Sequence, residues 1–325
     1  MSQVIGVAVP CKNEEGTLRA CLTALQRQEP PVARTVVVDN GSTDSSPRIA
    51  RELAEVLELP EASISAMRNR GAQQLGPVDF VGFVDADVVV GADWLRAALA
   101  AAADGADVVG SRSLPATDAT WVAARWAEVE RHRVHDDSLL WSQHLLVRRE
   151  VFEALGGFDE TMRTGEDADL SARARALGYE VRNVPGMVAT HHGFPSTLRG
   201  FLRRERWHTS TPGWFARMNP ASRSLVLATA GWVLVGLGAA VVTAVDRRPR
   251  RLRWWLAGSV AGVPALGRVA GGSFRHSVAD GTLLGLWSLV RVSRLLPEAV
   301  SRARVPSTPG PEQHHHEGAE PDGDV

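Results

Sequence analysis

Cysteine is nearly absent from this chain: of 325 residues only Cys11 and Cys21 are cysteines, ten positions apart and without C-x-x-C spacing. That excludes a disulfide framework and argues against a thiolate zinc site, and it predicts a reducing compartment. Charge of one sign is lacking too. The chain carries 36 basic and 37 acidic side chains for a net charge of −1, which argues against a polybasic nucleic-acid binder. Lysine occurs once, at Lys12, and this arginine bias reads as codon usage rather than function. There is no internal repeat. No G-x-G-x-x-G follows the first apolar run, which disfavours a dinucleotide fold, and no G-x-x-x-x-G-K-[S/T] occurs, which excludes a P-loop. Met1 to Pro10 has neither a charged start nor a long apolar stretch, so no signal peptide is expected. With 44% apolar residues the chain is not a disordered one, and its length suits one large or two modest domains.

What is present is unevenly distributed. Residues 1–196 sum to −9, residues 197–304 to +13 and the tail from Val305 to −5. The basic region also holds the longest apolar run. Ser224–Val245 is 22 residues without a charge, enough to cross a bilayer core of roughly 30 Å at ~1.5 Å per residue. A buried core helix is the alternative. Trp254–Gly267 and Gly281–Val290 are shorter and read as short spans or as helices lying in the headgroups, the former broken at Pro264. Arg247, Arg248, Arg250, Arg251 and Arg253 crowd the loop after the first span, which the positive-inside rule disfavours on the far side of the membrane. The expected organisation is therefore a catalytic domain over 1–215, a membrane-associated helical region over 216–304 with one span at 224–245, and a disordered acidic tail over 305–325. His314–His316 in that tail reads as solvated.

The first half alternates short apolar runs with helix-like stretches. Val4–Val9, Thr35–Asp39, Phe80–Asp85 and Ala106–Ser111 read as strands. Gly16–Gln28, Ser42–Leu57 and Asp93–Ala103 read as helices, the first with Asn13 as its N-cap. Residues 112–150 are less regular. Glu150–Leu155 and Asp167–Leu177 are helices ended by glycine, and Tyr179–Val184 is a short strand. This rhythm predicts an α/β fold, a mostly parallel sheet with helices on both faces. Ligands in such sheets sit beyond the carboxyl ends of strands, so the polar residues there carry the interest.

Four segments occupy those ends. Pro10-Cys11-Lys12-Asn13-Glu14-Glu15 follows the first strand, and taken alone it is a helix cap. Asp39-Asn40-Gly41-Ser42-Thr43-Asp44 follows the second and reads as a turn and cap, or as a carboxylate that accepts from a base or ribose. Asp85-Ala86-Asp87 ends an apolar strand, where two carboxylates call for a counter-charge; a divalent cation with hard oxygen ligands supplies it. Gly165-Glu166-Asp167-Ala168-Asp169 opens a helix, where acids either favour the dipole or hold a base at the ligand crevice.

In this order the segments V-P-C-K-N-E-E, V-V-V-D-N-G-S-T-D, V-D-A-D, and G-G-F-D-E with G-E-D-A-D-L resemble the family 2 glycosyltransferases of GT-A fold, over roughly residues 4–210. Arg68-Asn69-Arg70-Gly71 is similar to the family's segment leading into the donor-site helix. The resemblance implies that Asp39 pairs with the nucleotide base, with Pro10, Asn13 and Glu14 lining the same pocket, and that Arg68 and Asn69 approach the ribose or diphosphate. It implies that Asp85 lies near ribose and metal, that Asp87 binds the metal, Mn²⁺ or Mg²⁺, and that His191 or His192 completes that site. Asp167, with Glu166 beside it, would be the general base of an inverting transfer to an acceptor hydroxyl. Trp141, Ser142 and His144 are acceptor-side candidates.

Phe201-Leu202-Arg203-Arg204-Glu205-Arg206-Trp207 resembles the Q-x-x-R-W element of processive synthases, with Arg203 in place of glutamine. A basic helix on anionic headgroups reads equally well, and Arg206 and Trp207 could contact acceptor or diphosphate. The implied partners are a UDP- or GDP-sugar donor, a glycan or lipid-linked acceptor and membrane lipid, with no nucleic acid. The implied place is the cell membrane, catalytic domain cytoplasmic. Two other readings remain at this point. A sugar-phosphate nucleotidyltransferase would need a Gly-rich loop that Pro10–Gly16 does not provide. A catalytically silent scaffold is opposed by the presence of Asp85, Asp87 and Asp167.

Overall fold

The computed structural model describes residues 3–133, 140–211, 213–214, 218, 220–246, 250–269 and 276–303. Arg247, Arg248, the acidic tail and His314–His316 lie outside the described residues. In chain order the elements of the first part are β1 (Ile5–Cys11), α1 (Leu18–Gln26), β2 (Arg34–Asp39), α2 (Ser46–Leu53), β3 (Glu55–Glu58), α3 (Ile64–Gln74), β4 (Phe80–Val84), β5 (Val88–Val90), α4 (Trp94–Ala103), β6 (Val108–Gly110) and β7 (Leu114–Pro115). There follow α5 (Trp121–Arg133), β8 (His144–Arg148), α6 (Arg149–Ala154), α7 (Glu166–Ala176), β9 (Val181–Asn183), β10 (Ala189–His191) and α8 (Leu198–His208). Three long helices close the chain: α9 (Pro220–Asp246), α10 (Arg250–Val269) and α11 (Ser277–Ala303).

The main sheet has the order β3-β2-β1-β4-β8-β6-β9, and only β8 runs against its neighbours. All seven residues of β1 are buried because helices cover both faces of the sheet. On one face Val7 and Val9 pack with Leu18, Leu22 and Leu25 of α1 and Trp94 of α4. On the other, Ala8, Val36 and Val38 pack with Met67 and Leu75 of α3, and with Phe83, Phe152 and Phe158. Gly71 makes the second layer possible: a Cβ there would stand 2.7 Å from the Cβ of Ala8. Cys11 and Cys21 are buried free thiols in this core. A second, three-stranded sheet, β5-β10-β7, folds over the carboxyl end of β4.

Several local expectations are corrected. Ser42–Leu57 is not one helix. Ala54 turns extended at the end of α2, and Glu55–Glu58 pairs in parallel with β2 as a half-exposed edge strand. Asn13 does not cap α1. It sits at φ 57°, and its Oδ1 accepts from the Thr43 amide at 2.8 Å, which ties the loop after β1 to the loop after β2. The irregular stretch 112–150 holds α5 and the central strand β8. Pro264 lies within α10 without ending it: proline removes one ladder bond, and the turns on either side persist.

The C-terminal helices do not share one environment. Within α9, residues 222–241 have the length and composition to cross a bilayer, with a mean hydropathy of 2.0, and only 11% of that apolar stretch is buried. Leu234, Val235, Leu237 and Val241 are exposed along it. α10 lies against α9, with Trp255 Nε1 donating to the Trp232 carbonyl at 2.9 Å. By contrast α11 packs back onto the first part of the chain. Leu283, Leu284 and Trp287 are buried with Trp126 of α5 and Phe201 of α8. Two ion pairs cross that seam: Arg125 to the fully buried Asp280, bidentate at 2.7 and 2.8 Å, and Arg291 to Glu205 at 2.8 Å. Apolar packing and two ion pairs thus hold α11 against α5 and α8.

Candidate active site

The carboxyl ends of β1, β2 and β4 open into one cleft, closed on its other sides by β10 and by α7 and α8. Two adjoining cavities of about 460 and 640 Å³ make it up, with Ile64, Arg68, Asp85 and Trp207 among their linings. At its centre lies Arg68 of α3, only 2% exposed. Its Nη2 donates to Asp85 Oδ1 and its Nη1 to Glu166 Oε1, both at 2.7 Å. One buried guanidinium thus links the carboxyl end of β4 to the first turn of α7. Burying a charge demands such pairing.

At one end of the cleft Asp87 Oδ2 stands 3.0 Å from His191 Nε2. Burial works against the Asp87 carboxylate, but the hydrogen bond and charge of His191, with Arg204 beyond, outweigh it and hold the group below the usual carboxylate range. Gly193 keeps the space beside this pair open, because a Cβ there would meet Asp87 Oδ2 at 1.9 Å and His191 Nε2 at 2.7 Å. His191 Nδ1 is buried without a partner. Nearby, burial and then the charge of Asp87 push Glu14 up to about 7. The residues present fit a hard divalent cation in their donor chemistry, oxygen with one imidazole, and in the space that glycine clears. Among the described residues no three His, Cys, Asp or Glu side chains stand together as a preformed cage. Any cation would therefore take part of its shell from a ligand.

At the other end Gly165, at φ 81°, turns the chain into α7 and sets Glu166 and Asp167 in its first turn. Asp167 is half-buried. Its Oδ1 accepts from the Ala168 amide at 2.8 Å and its Oδ2 from the Ser142 amide at 3.4 Å. Burial, and then the charge of Glu166, push its carboxyl up to about 7. That value suits a group that must release and take up a proton near neutrality. Trp141 flanks it, with the Arg112 guanidinium 4.7 Å over its ring. Asp39, at the end of β2, is 4% exposed. Its Oδ2 accepts from the Ser42 amide at 3.1 Å, while its Oδ1 is buried without a partner. Pro10 and Glu14 line the cavity between Asp39's strand and Asp87.

Other expected site residues stand elsewhere. Asn69 faces away from the cleft and clamps the loop after α6: it accepts from the Phe158 amide and donates to the Phe158 carbonyl, both at 2.9 Å. Gly157 beneath it admits no Cβ, which would lie 2.6 Å from Asn69 Oδ1. Asn13 is likewise committed to the Thr43 amide. His192 is exposed and meets Asp87 only through its backbone amide, since strand alternation turns its side chain from that of His191. His144 is fully buried behind the cleft, where Trp94 Nε1 donates to its Nδ1 at 3.2 Å and burial depresses it to about 4. Arg206 points outward.

The inward arginine of α8 is Arg204, unnoticed in the sequence. It lines the cleft, its Nε donates to His208 Nε2 at 3.3 Å, and its Nη1 is buried without a partner. The helical spacing contained the signal: Phe201, Glu205 and His208 share the buried face at i, i+4 and i+7, and Arg204 lies on it while Arg206 is two residues round. Gly193 had no comparable signal.

Comparison with known proteins follows the same geometry. The model of glycosyl transferase family 2 matches residues 6–153, and that of glycosyl transferase family group 2 matches residues 80–269. Succinoglycan biosynthesis protein ExoA of Rhizobium meliloti is 30% identical over 206 residues, which are 54% of this chain and 59% of that protein. An uncharacterized glycosyltransferase of Mycobacterium tuberculosis is 31% identical over 210 residues, 61% of this chain and 91% of that protein. Among solved structures, the mannosyltransferase PcManGT from Pyrobaculum calidifontis, in complex with GDP-Man and Mn²⁺, superposes with a TM-score of 0.59 at 20% identity over 89% of this chain and 87% of that one. Its fold is the GT-A fold of this chain.

Proposed function

The chain belongs to glycosyltransferase family 2, and from that premise we propose that it transfers a sugar, with inversion, from a nucleotide-diphosphate sugar to an acceptor hydroxyl on a lipid-linked or cell-envelope glycan, at the membrane and with its catalytic domain cytoplasmic. One observation carries this reading. A cation-suited pair, Asp87 and His191, and a carboxyl poised near neutrality, Asp167, line one cleft and are joined through Asp85, Arg68 and Glu166.

In this reading the buried, unpartnered Asp39 Oδ1 accepts an N–H from the nucleotide base. Asp87 and His191 hold the divalent cation, Mn²⁺ or Mg²⁺, with Asp85 beside them. When bound, the ion neutralises charge developing on the departing diphosphate. The free Nη1 of Arg204 donates to the same diphosphate. Arg68 fixes Asp85 and Glu166 in relation to each other, and it lines the cleft where the ribose or diphosphate would lie. Asp167 takes the proton of the acceptor hydroxyl, and the Ser142 and Ala168 amides keep its oxygens oriented while it does so. The Pyrobaculum enzyme of like fold was solved with GDP-Man and Mn²⁺, the class of donor and ion proposed here. The α9 segment supports the membrane location.

The test is donor hydrolysis by the full chain in detergent, across a panel of UDP- and GDP-sugars. Mn²⁺ or Mg²⁺ is expected to stimulate slow release of nucleoside diphosphate from at least one donor. Failure of every donor to bind or turn over with either ion overturns the reading. A second expectation concerns Gly193→Ala. The added Cβ must break the Asp87–His191 hydrogen bond. Cation-stimulated hydrolysis should fall about 100-fold, the scale of an ångström-sized misplacement in a site, while the thermal melt stays near that of the parent. Unchanged hydrolysis would remove Asp87 and His191 from the cation site.

A further inference from the structure

Beside the cleft lies a cavity of about 720 Å³ that the chemistry above does not use. It is bounded by α5, α7, α8 and α11, and it reaches Ser222 in the first turn of the apolar helix α9. It shares Trp141, Gly165 and His208 with the catalytic cleft, so the two are continuous at the start of α7. Its wall is mainly apolar, built by Trp126, Met162, Trp214, Met218 and Trp287; of the carboxylates on it besides Glu130, Asp169 is paired with Arg173 and Glu205 with Arg291.

Two residues of that wall carry a buried N–H donor with no partner, Trp126 Nε1 and Arg291 Nε. Trp126 is 1% exposed and Arg291 8%. Buried donors left unpaired carry the full cost of desolvation, and an oxygen-rich ligand relieves it. Arg291 is held rigidly for such a partner. Its Nη1 donates to Glu205 at 2.8 Å, and its guanidinium lies 3.8 Å over the Trp287 ring. Arginine in this setting favours phosphate oxygens. An apolar wall leading to a helix with the composition of a membrane span favours a hydrocarbon chain attached to that phosphate.

We propose that this cavity binds the phosphate head and the proximal hydrocarbon of a lipid-linked acceptor, with Trp126 and Arg291 as its donors and Trp214, Met218 and Trp287 along the chain. The assignment rests on the glycosyltransferase reading for the identity of its ligand as acceptor. It explains why α11 returns to the catalytic part of the chain: it brings Arg291 and Trp287 to the cavity.

Isothermal titration of the full chain in detergent with geranylgeranyl phosphate tests it, beside geranylgeraniol and inorganic phosphate. The prenyl phosphate should bind, the alcohol at least tenfold more weakly, and inorganic phosphate not measurably. Trp126→Phe keeps the ring against Phe201, 4.8 Å between centroids, and removes only the N–H. Arg291→Lys keeps a cation for Glu205 and removes the Nε–H. Each should weaken prenyl phosphate binding about tenfold, the worth of a hydrogen bond to a charged group. If Arg291→Lys does not fold, Trp126→Phe decides alone. Equal affinity for alcohol and phosphate, equal affinity for inorganic and prenyl phosphate, no binding of the prenyl phosphate, or unchanged affinity in the folded variants would each overturn the proposal. Donor hydrolysis in the same preparations separates the two readings. Hydrolysis without prenyl phosphate binding removes only the cavity assignment. Binding with the expected losses but no hydrolysis removes the transfer reading and leaves the phosphate site.

Discussion

Asp167→Asn will keep donor binding and lose sugar transfer by about two to four orders of magnitude, the range for removing a positioned general base. The substitution is nearly isosteric and sits in the first turn of α7, so the backbone has no reason to move. An amide can satisfy only one of the two amides that now donate to the carboxylate. The shorter bond, from Ala168 at 2.8 Å, should persist and the longer one, from Ser142 at 3.4 Å, should be lost. In the parent, transfer should rise with pH through about 7, because the base must be unprotonated and its carboxyl is pushed up to about 7 by burial and by Glu166. The same shift has a stability consequence of definite sign. A carboxyl raised on folding favours the folded state while protonated, below its ordinary range, and that contribution is lost as pH rises through the folded value. Asp167→Asn should therefore melt higher than the parent at pH 8 and no higher at pH 4. Thermal melts at the two pH values, with donor titration and a transfer assay, check all three statements. Full transfer by the variant would remove Asp167 from the role of base.

The strands that stood out most plainly were those built of one continuous apolar run. Ile5–Cys11 and Phe80–Val84 are central and buried on both faces, and a continuous apolar run leaves no other place for them. Glu55–Glu58 was misread because a half-exposed edge strand with a glutamate at each end, E-V-L-E, carries the same polar and apolar mixture as a helix end. The strand β8 escaped because nothing local marks His144–Arg148 as central; its place between β4 and β6 is fixed by tertiary pairing alone. The cleft divides in the same way. Asp39, Asp85 and Asp87 follow apolar strands, and Asp167 opens a helix, so chain position alone sent them to the carboxyl side of a parallel sheet. Which neighbour shares that side is a matter of side-chain direction. Strand alternation separates His191 from His192, and helical rotation separates Arg204 from Arg206. Asn69 shows the limit: its place in a four-residue segment similar to the family's suggested a ligand, whereas its amide bonds Phe158 and Glu160.

Asp87→Ala is expected to abolish the dependence of donor binding on a divalent cation. Three observations make the effect large. The carboxylate is held in its charged form by His191 against the cost of burial, so it is available as an anion across the working range of pH. Gly193 leaves room at that oxygen for an incoming ion, where a Cβ would approach to 1.9 Å. The neighbouring Asp85 can replace it only in part, because Asp85 Oδ1 is held at 2.7 Å by the buried Arg68. Removing Asp87 also removes the main charge that raises Glu14, so Glu14 should return toward the ordinary carboxylate range and the site should keep a fixed negative charge of the wrong geometry. The informative measurement is a Mn²⁺ titration of nucleotide binding, since it reads the ion without requiring turnover. The parent should bind UDP or GDP more tightly as Mn²⁺ rises, and the variant should bind weakly at every concentration. Asp93→Ala, at an exposed acid paired only with Arg96, controls for loss of negative charge and should match the parent. A Mn²⁺ dependence in Asp87→Ala equal to that of the parent would move the cation away from Asp87 and His191, and with it the diphosphate that Arg204 is positioned to meet.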